Sequence, residues 1–327
     1  MTKLSYSIKA KKFRKVIAEI DKKRDEGQTT PVDIIRFDNI LYGKDRRLKK
    51  WQLLDVYRPK PEQNTVSEEA SQFKKLPVIV IFHGGAWVYG DKDVYQFYGM
   101  RLAERGFAVV NYSYRLAPEA KFPASLIDTQ KVFDWISENA EKYGFDTRNV
   151  FGAGDSAGAH LLTMYAAALS NPEFGKNFPF IQKAQAEHIS QNKKIVLRGV
   201  ALNCGKYTMN DGMKDSQAPR KDEAQMQIAV WMPHHGTSEE FRLIDCHTHV
   251  TKDFPPAFVM TCKGDFLIEQ APLMLKALEK AGVPHEFRCY GTEEMPLWHV
   301  FHCDPKLEEA VICNDEECNF FKKLCIM

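Results

Sequence analysis

Between Phe151 and Leu162 the chain reads FGAGDSAGAHLL, which places Ser156 two residues from a glycine on either side. Gly154-Asp155-Ser156-Ala157-Gly158 fits Gly-X-Ser-X-Gly, the spacing of a sharp strand-to-helix turn that carries a serine hydroxyl at its apex. The two glycines clear side chains from the point where strand and helix approach most closely. A serine hydroxyl alone is a weak nucleophile, so chemistry at Ser156 calls for three helpers: a base, an acid that orients the base, and N–H donors for a developing oxyanion. The bland alternative is that the glycines only punctuate a turn.

Each helper has a candidate at the end of another apolar run. After LPVIVIF come His83-Gly84-Gly85-Ala86. Two glycines let the backbone fold tightly and present its amides, so Gly84, Gly85 and Ala157 form the expected oxyanion hole. PPAFVMTC leads into KGDFLIEQA, which puts Asp265 just past a strand end; helix capping is its alternative use, and Glu269 falls inside the following helix. The last strand, VPHEFRCYG, is followed by TEEMPLWHVFH. His285 lies within that strand, His299 is the expected base, and His302 is the substitute.

The segments that must position these residues alternate. Residues 8 to 26 predict a helix, with Phe13, Val16, Ile17 and Ile20 on one stripe and Lys11, Lys12, Arg14 and Lys15 opposite. DIIRFDNILYG and KWQLLDVYRPK predict an antiparallel pair, and PEQNTVSEEASQFKK a loop. LPVIVIF, GFAVVNYSY, RNVFGAG, KIVLRGVALNC, PPAFVMTC and VPHEFRCY are apolar runs suited to strands buried on both faces. Helical stretches lie near 94–105, 124–142, 157–170 and 269–281, and from Asp304 onward. This alternation predicts a three-layer α/β/α sandwich around a mostly parallel sheet. Residues 171–194 and 205–250 break the rhythm and read as irregular insertions over the sheet's carboxyl edge.

Composition narrows the partners. A net charge of +2 with 27% charged and 44% hydrophobic residues argues against nucleic acid binding and disorder. No signal-like segment follows the basic N-terminus, and no run of about 18 apolar residues occurs, so stable membrane insertion is not expected and a cytoplasmic protein is. The eight cysteines lie in the last third without C-x-x-C pairs and read as free thiols. Cys246, His247 and His249 crowd together near His234 and His235, but their spacing matches no ligand pattern, so no metal is expected. A homo-oligomer is compatible with all of this.

Five motifs in order, HGGAWVYGDKD, NYSYRLAPEAKFPASLIDTQKVFDWI, GDSAGAHL, CKGDFLIEQAPLMLKALEKAGV and WHVF, span roughly residues 50 to 320. Together they resemble the hormone-sensitive-lipase-like group of α/β-hydrolase carboxylesterases, which includes many bacterial acetyl esterases. The resemblance implies an eight-stranded, mostly parallel sheet and a helical cap. That cap would combine an N-terminal cap helix in residues 1–30 with an insertion at about 205–250 of a hydrolase domain spanning 31–327. It also implies hydrolysis of small-molecule, short-chain acyl (acetyl-type) esters without a cofactor. On this sequence Ser156 becomes the nucleophile, Asp265 the acid, His299 the base, and Gly84, Gly85 and Ala157 the oxyanion donors, in the chain order of that fold.

Three departures stand out: Ala86 replaces a third glycine, the segment from Gly291 to His299 is long, and residues 171–250 match no known pattern. Arg115 and Glu119 are expected to tie a loop beside the site, with Asp128 packed below. Trp87, Tyr89, Tyr207, Trp231 and Trp298 are candidates to frame a pocket. Rival readings are an amidase or peptidase on the same triad and a non-catalytic ligand-binding relative.

Overall fold

The computed structural model describes residues 3–61, 73–191, 195–209 and 221–326. Eight strands form one sheet: β1 (Ile34–Leu41), β2 (Leu53–Pro59), β3 (Leu76–Phe82), β4 (Ala108–Tyr112), β5 (Phe145–Asp155), β6 (Leu197–Asn203), β7 (Ala257–Cys262) and β8 (His285–Tyr290). Their order is β1-β2-β4-β3-β5-β6-β7-β8. β1 pairs antiparallel with β2, and β2 antiparallel with β4; every other pairing is parallel. The continuous apolar runs form the centre because both faces are covered: Val78–Phe82 and Val150–Asp155 are buried without interruption.

The longer helices among the described residues are α1 (Lys3–Asp25), α2 (Gln96–Glu104), α3 (Ala124–Glu138), α4 (Ala157–Ser170), α5 (Pro179–Ser190), α6 (Lys221–Trp231), α7 (Ser238–Ile244), α8 (Ala271–Ala281) and α9 (Glu308–Leu324). α4 is the pivot. Its sequence AGAHLLTMYAAALS is apolar all round and is buried from Ala157 to Ala168, as a helix enclosed on every side must be. One apolar cluster runs between one face of the sheet and α3 and α4; the other fills the space between the opposite face and α2 and α9.

Three expectations need revision. α1 begins at Lys3, because residues 3–7 contain neither glycine nor proline, and its packed face is rotated from the predicted stripe. Val16 and Ile20 are 51% and 56% exposed, while Ala10 is buried and Arg14 and Arg24 turn inward to hydrogen-bond the carbonyls of Val88, Ala117 and Val94. Polar anchors on the packed face override the apolar count. Residues 171–190 are largely helical, not irregular: Asn171 caps a single turn at Pro172–Gly175 and Pro179 opens α5, prolines being tolerated at a first helical position. Within 205–250, α6 and α7 are helical, the latter with a capping box from Thr237 and Glu240. Most of the loop predicted at 61–75 lies outside the described residues.

Candidate active site

Ser156 sits between the end of β5 and the start of α4 with φ +53° and ψ −118°, a conformation that non-glycine residues rarely adopt. Its neighbours force the turn. A Cβ on Gly158 would lie 1.9 Å from the carbonyl oxygen of Phe82, and one on Gly154 would lie 2.8 Å from the carbonyl oxygen of Gly158. Helix and strand therefore touch backbone to backbone. The strained residue is held at both ends: its N–H donates to the Asn203 carbonyl at 3.0 Å, and its carbonyl accepts from Lys206 and His160, each at 3.2 Å.

Asp265 follows β7, its N–H donating to the Cys262 carbonyl at 3.0 Å. Its carboxylate is buried and well supplied with donors. His299 Nδ1–H reaches Oδ1 at 2.7 Å, the Leu267 N–H reaches Oδ1 at 2.8 Å, and the Thr261 hydroxyl reaches Oδ2 at 3.0 Å. Burial alone would raise the pKa of this carboxyl, but the His299 hydrogen bond and charge, with the Leu267 amide and the Cys204 thiol, outweigh it and hold the group below its ordinary value. With Nδ1–H committed to Asp265, His299 keeps Nε2 for other work. Its ring packs at 4.4 Å against Phe266.

The two halves follow β5 and β7, with β6 between them. Asp155 pairs with Asn203 across β5–β6, and Asn203 with Met260 across β6–β7, at the same carboxyl edge. The His299 imidazole acts electrostatically on Asp155, the residue before Ser156. Among the described residues the Ser156 hydroxyl has no hydrogen-bond partner, so base is joined to acid without being joined to the serine.

The loop after β3 corrects one expectation. The Gly84 N–H already donates to the Tyr95 hydroxyl at 2.8 Å, and that hydroxyl donates to Asp155 Oδ2 at 2.9 Å. Gly84 is therefore occupied and unsuited to receive an oxyanion. The amides of Gly85, Ala86 and Ala157 have no acceptor among the described residues. Gly85, Ala86 and Trp87 adopt φ of +110°, +55° and +59°, and a Cβ on Gly85 would meet the Tyr89 carbonyl oxygen at 2.2 Å. Several contacts lock this left-handed run. Tyr114 donates to the His83 carbonyl and stacks on the His83 ring at 3.9 Å, Arg14 donates to the Val88 carbonyl, and the Tyr89 hydroxyl donates to Asp21.

His302 is not placed to substitute for His299. It is fully buried beside Tyr98, with Nε2 toward the Cys303 thiol at 3.5 Å, and burial lowers its pKa to about 3. His285 turns Nδ1 to the Val283 carbonyl. Arg115 grips Asp128 through Nε and Nη2 at 2.8 Å, and Glu119 instead pairs with Arg14 of α1. Of the aromatic candidates, Trp87 stacks on Trp231 at 4.3 Å, Tyr207 is fully buried, and Trp298 is half exposed.

Among the described residues two groups have metal-like composition, Cys204/Asp265/His299 and Asp155/His302/Cys303. In the first, both Asp265 oxygens already accept hydrogen bonds; the second is wholly buried. Around Cys246, the thiol and His247 both turn to the Tyr207 carbonyl, and His249 turns to the carbonyls of Arg242 and Leu243. Tyr95 and Asn203, which bond Asp155 and the Ser156 N–H, and Glu317, which bonds Asn203, carried no sequence signal, because they belong to no motif and act only through tertiary contact.

The chain is 28% identical over 243 residues to esterase LipC of Mycobacterium tuberculosis, covering 73% of this chain and 54% of that protein. It is 39% identical over 218 residues to carboxylesterase NlhH of the same organism, covering 64% of this chain and 63% of that protein. It thus spans less than two thirds of the length of either relative. Esterase B from Lactobacillus rhamnosis superposes with a TM-score of 0.81 at 22% identity, covering 98% of this chain and 96% of that one, which shows a shared fold. No helix among the described residues is long and apolar enough to cross a membrane. The BD-FAE family model matches residues 54–277, more than half of the chain, and the protein therefore belongs to that family, within the α/β-hydrolase carboxylesterases.

Proposed function

We propose that the protein is a serine carboxylesterase that hydrolyses short-chain, acetyl-type esters through Ser156, His299 and Asp265. The observation that carries the reading is the 2.7 Å bond from His299 Nδ1–H to a buried Asp265, which shares a sheet edge with a strained serine turn, β6 lying between their strands. That bond selects the tautomer with Nε2 free to accept a proton. His299 Nε2 takes the Ser156 proton as Oγ attacks the ester carbonyl carbon, and the carbonyl π electrons move onto oxygen. The amides of Gly85, Ala86 and Ala157 receive that oxyanion. Collapse returns the electron pair and expels the alcohol, which leaves with the proton held by His299. Water, deprotonated by the same imidazole, then releases the acid and restores Ser156.

Aspartate held as the anion suits this cycle, because a buried negative charge stabilises the imidazolium that forms twice per turnover. α1 and the α6–α7 segment act as the cap: α1 reaches the oxyanion loop through Arg14 and Asp21, and the Trp231 carbonyl of α6 accepts from the Phe122 amide. The choice of short acyl chains follows the likeness to acetyl esterases. Ser156→Ala should abolish p-nitrophenyl acetate hydrolysis by several orders of magnitude while leaving the melting point near that of the parent. Normal turnover in that variant refutes the reading. Rates across acyl chains of increasing length, and on acetylated sugars, test the substrate class.

A further inference from the structure

A buried carboxylate that the proposed chemistry does not use lies on α9. Glu317 is fully buried. Its oxygens accept from the Tyr98 hydroxyl at 2.9 and 3.1 Å and from Asn203 Nδ2 at 2.8 Å. A carboxyl group in an apolar interior is costly unless each partner is matched, and replacing such a group by apolar side chains often stabilises a fold. Its presence therefore calls for a role other than stability.

Asn203 supplies one. It ends β6, its main-chain carbonyl accepts the Ser156 N–H, and its own Cα register partner on β5 is Asp155. The serine conformation is one that persists only when its surroundings over-determine it. Asn203 is the part of those surroundings that side chains on distant helices hold, because its carboxamide donates to Glu317 of α9 at 2.8 Å and to the Tyr98 hydroxyl of α2 at 3.4 Å.

We infer that Glu317 is a positioning residue for Ser156, acting through Asn203 to hold the serine turn in its strained, reactive conformation. The inference rests on Ser156 being the nucleophile. Glu317 touches neither Ser156 nor substrate; it sets where the hydroxyl sits relative to His299 and to the amides of Gly85, Ala86 and Ala157. A misplacement of the order of 1 Å at the reacting atom costs up to about a hundredfold in rate, with little effect on ground-state binding.

The test uses the full chain with Glu317→Gln, which keeps the size and removes the charge, and Tyr98→Phe, which removes the hydroxyl that donates to Glu317 and accepts from Asn203 while leaving both of those residues unchanged. Turnover of p-nitrophenyl acetate and the rate of covalent capture by a small alkyl fluorophosphonate are both measured, with mass spectrometry locating the adduct. In that capture Oγ–P forms, P–F breaks, and fluoride leaves. Glu317→Gln should lower kcat and the capture rate together by about tenfold or more with KM within about twofold, and Tyr98→Phe should do so by a smaller factor. Parental kcat and capture rates in both variants, with the adduct still on Ser156, overturn the inference and leave the nucleophile standing. An adduct elsewhere, or capture by Ser156→Ala, refutes the nucleophile and the inference with it. Should Glu317→Gln not fold, Tyr98→Phe decides on the same two rates.

Discussion

Gly158, in the first turn of the central helix, backs directly onto the Phe82 carbonyl at the end of β3, leaving no room for even one carbon between them. The same added carbon would meet the His83 carbonyl oxygen at 2.6 Å, so the helix that follows Ser156 packs directly on the start of the loop after β3. Gly158→Ala must push the helix away from the strand, since the atom it meets is backbone. Overpacking of this kind costs about 1–3 kcal/mol. Esterase activity should fall by about a hundredfold or more, because the displaced helix carries Ser156. Unfolding in urea and initial rates measure the two effects separately.

His299 and His302 offer a discriminating pair. His299→Ala should lose several orders of magnitude in kcat, and also stability at neutral pH, because it leaves the buried Asp265 carboxylate without its imidazole partner. His302→Ala should lose stability through an emptied interior site next to Tyr98 while retaining activity within about tenfold. A dead His302→Ala with an active His299→Ala reverses the assignment.

Ala86 sits at φ +55°, where an L side chain costs about 1–2 kcal/mol. Ala86→Gly should raise stability by about 1 kcal/mol and leave kcat within a few-fold, since the amide that faces the proposed oxyanion is unchanged. A loss of stability would mean that the methyl group makes contacts worth more than the strain.

Asp155 and Glu317 both have pKa values raised by burial to about 7, from 3.8 and 4.5. Each binds its proton more tightly folded than unfolded. Their contribution to stability is therefore fully present below about pH 4 and is lost as pH rises through about 7. Asp265, held below its ordinary value, works the other way: it stabilises at neutral pH, and that stabilisation is lost as pH falls below about 4. Urea midpoints between pH 5 and 8 should fall with rising pH, and Glu317→Gln should flatten the slope. An unchanged slope in that variant places Glu317 outside the effect.

How much of this was legible beforehand depended on whether the signal was local. The strands were readable because burial on both faces demands uninterrupted apolar runs, and the serine turn because backbone contact demands glycine at 154 and 158. Asp265 and His299 could be named as candidates from their places after strand ends. Local pattern failed where a polar contact from elsewhere decided the outcome. The packed face of α1 was set by Arg14 and Arg24 reaching carbonyls some 70 to 103 residues away in sequence. Gly84 looked like a free donor until Tyr95 claimed its N–H.

The sequence by itself determined the order of strands and helices, the turn that exposes Ser156, and the short roster of residues able to assist it. Tertiary structure alone decided that His299 meets Asp265 while His302 is sealed beside Tyr98, which amides remain open, and that Glu317 holds the carboxamide of Asn203. The physical reason is range: turn geometry and apolar periodicity are written over a few neighbouring residues, whereas hydrogen-bond ownership depends on which groups the completed fold brings within about 3 Å of one another.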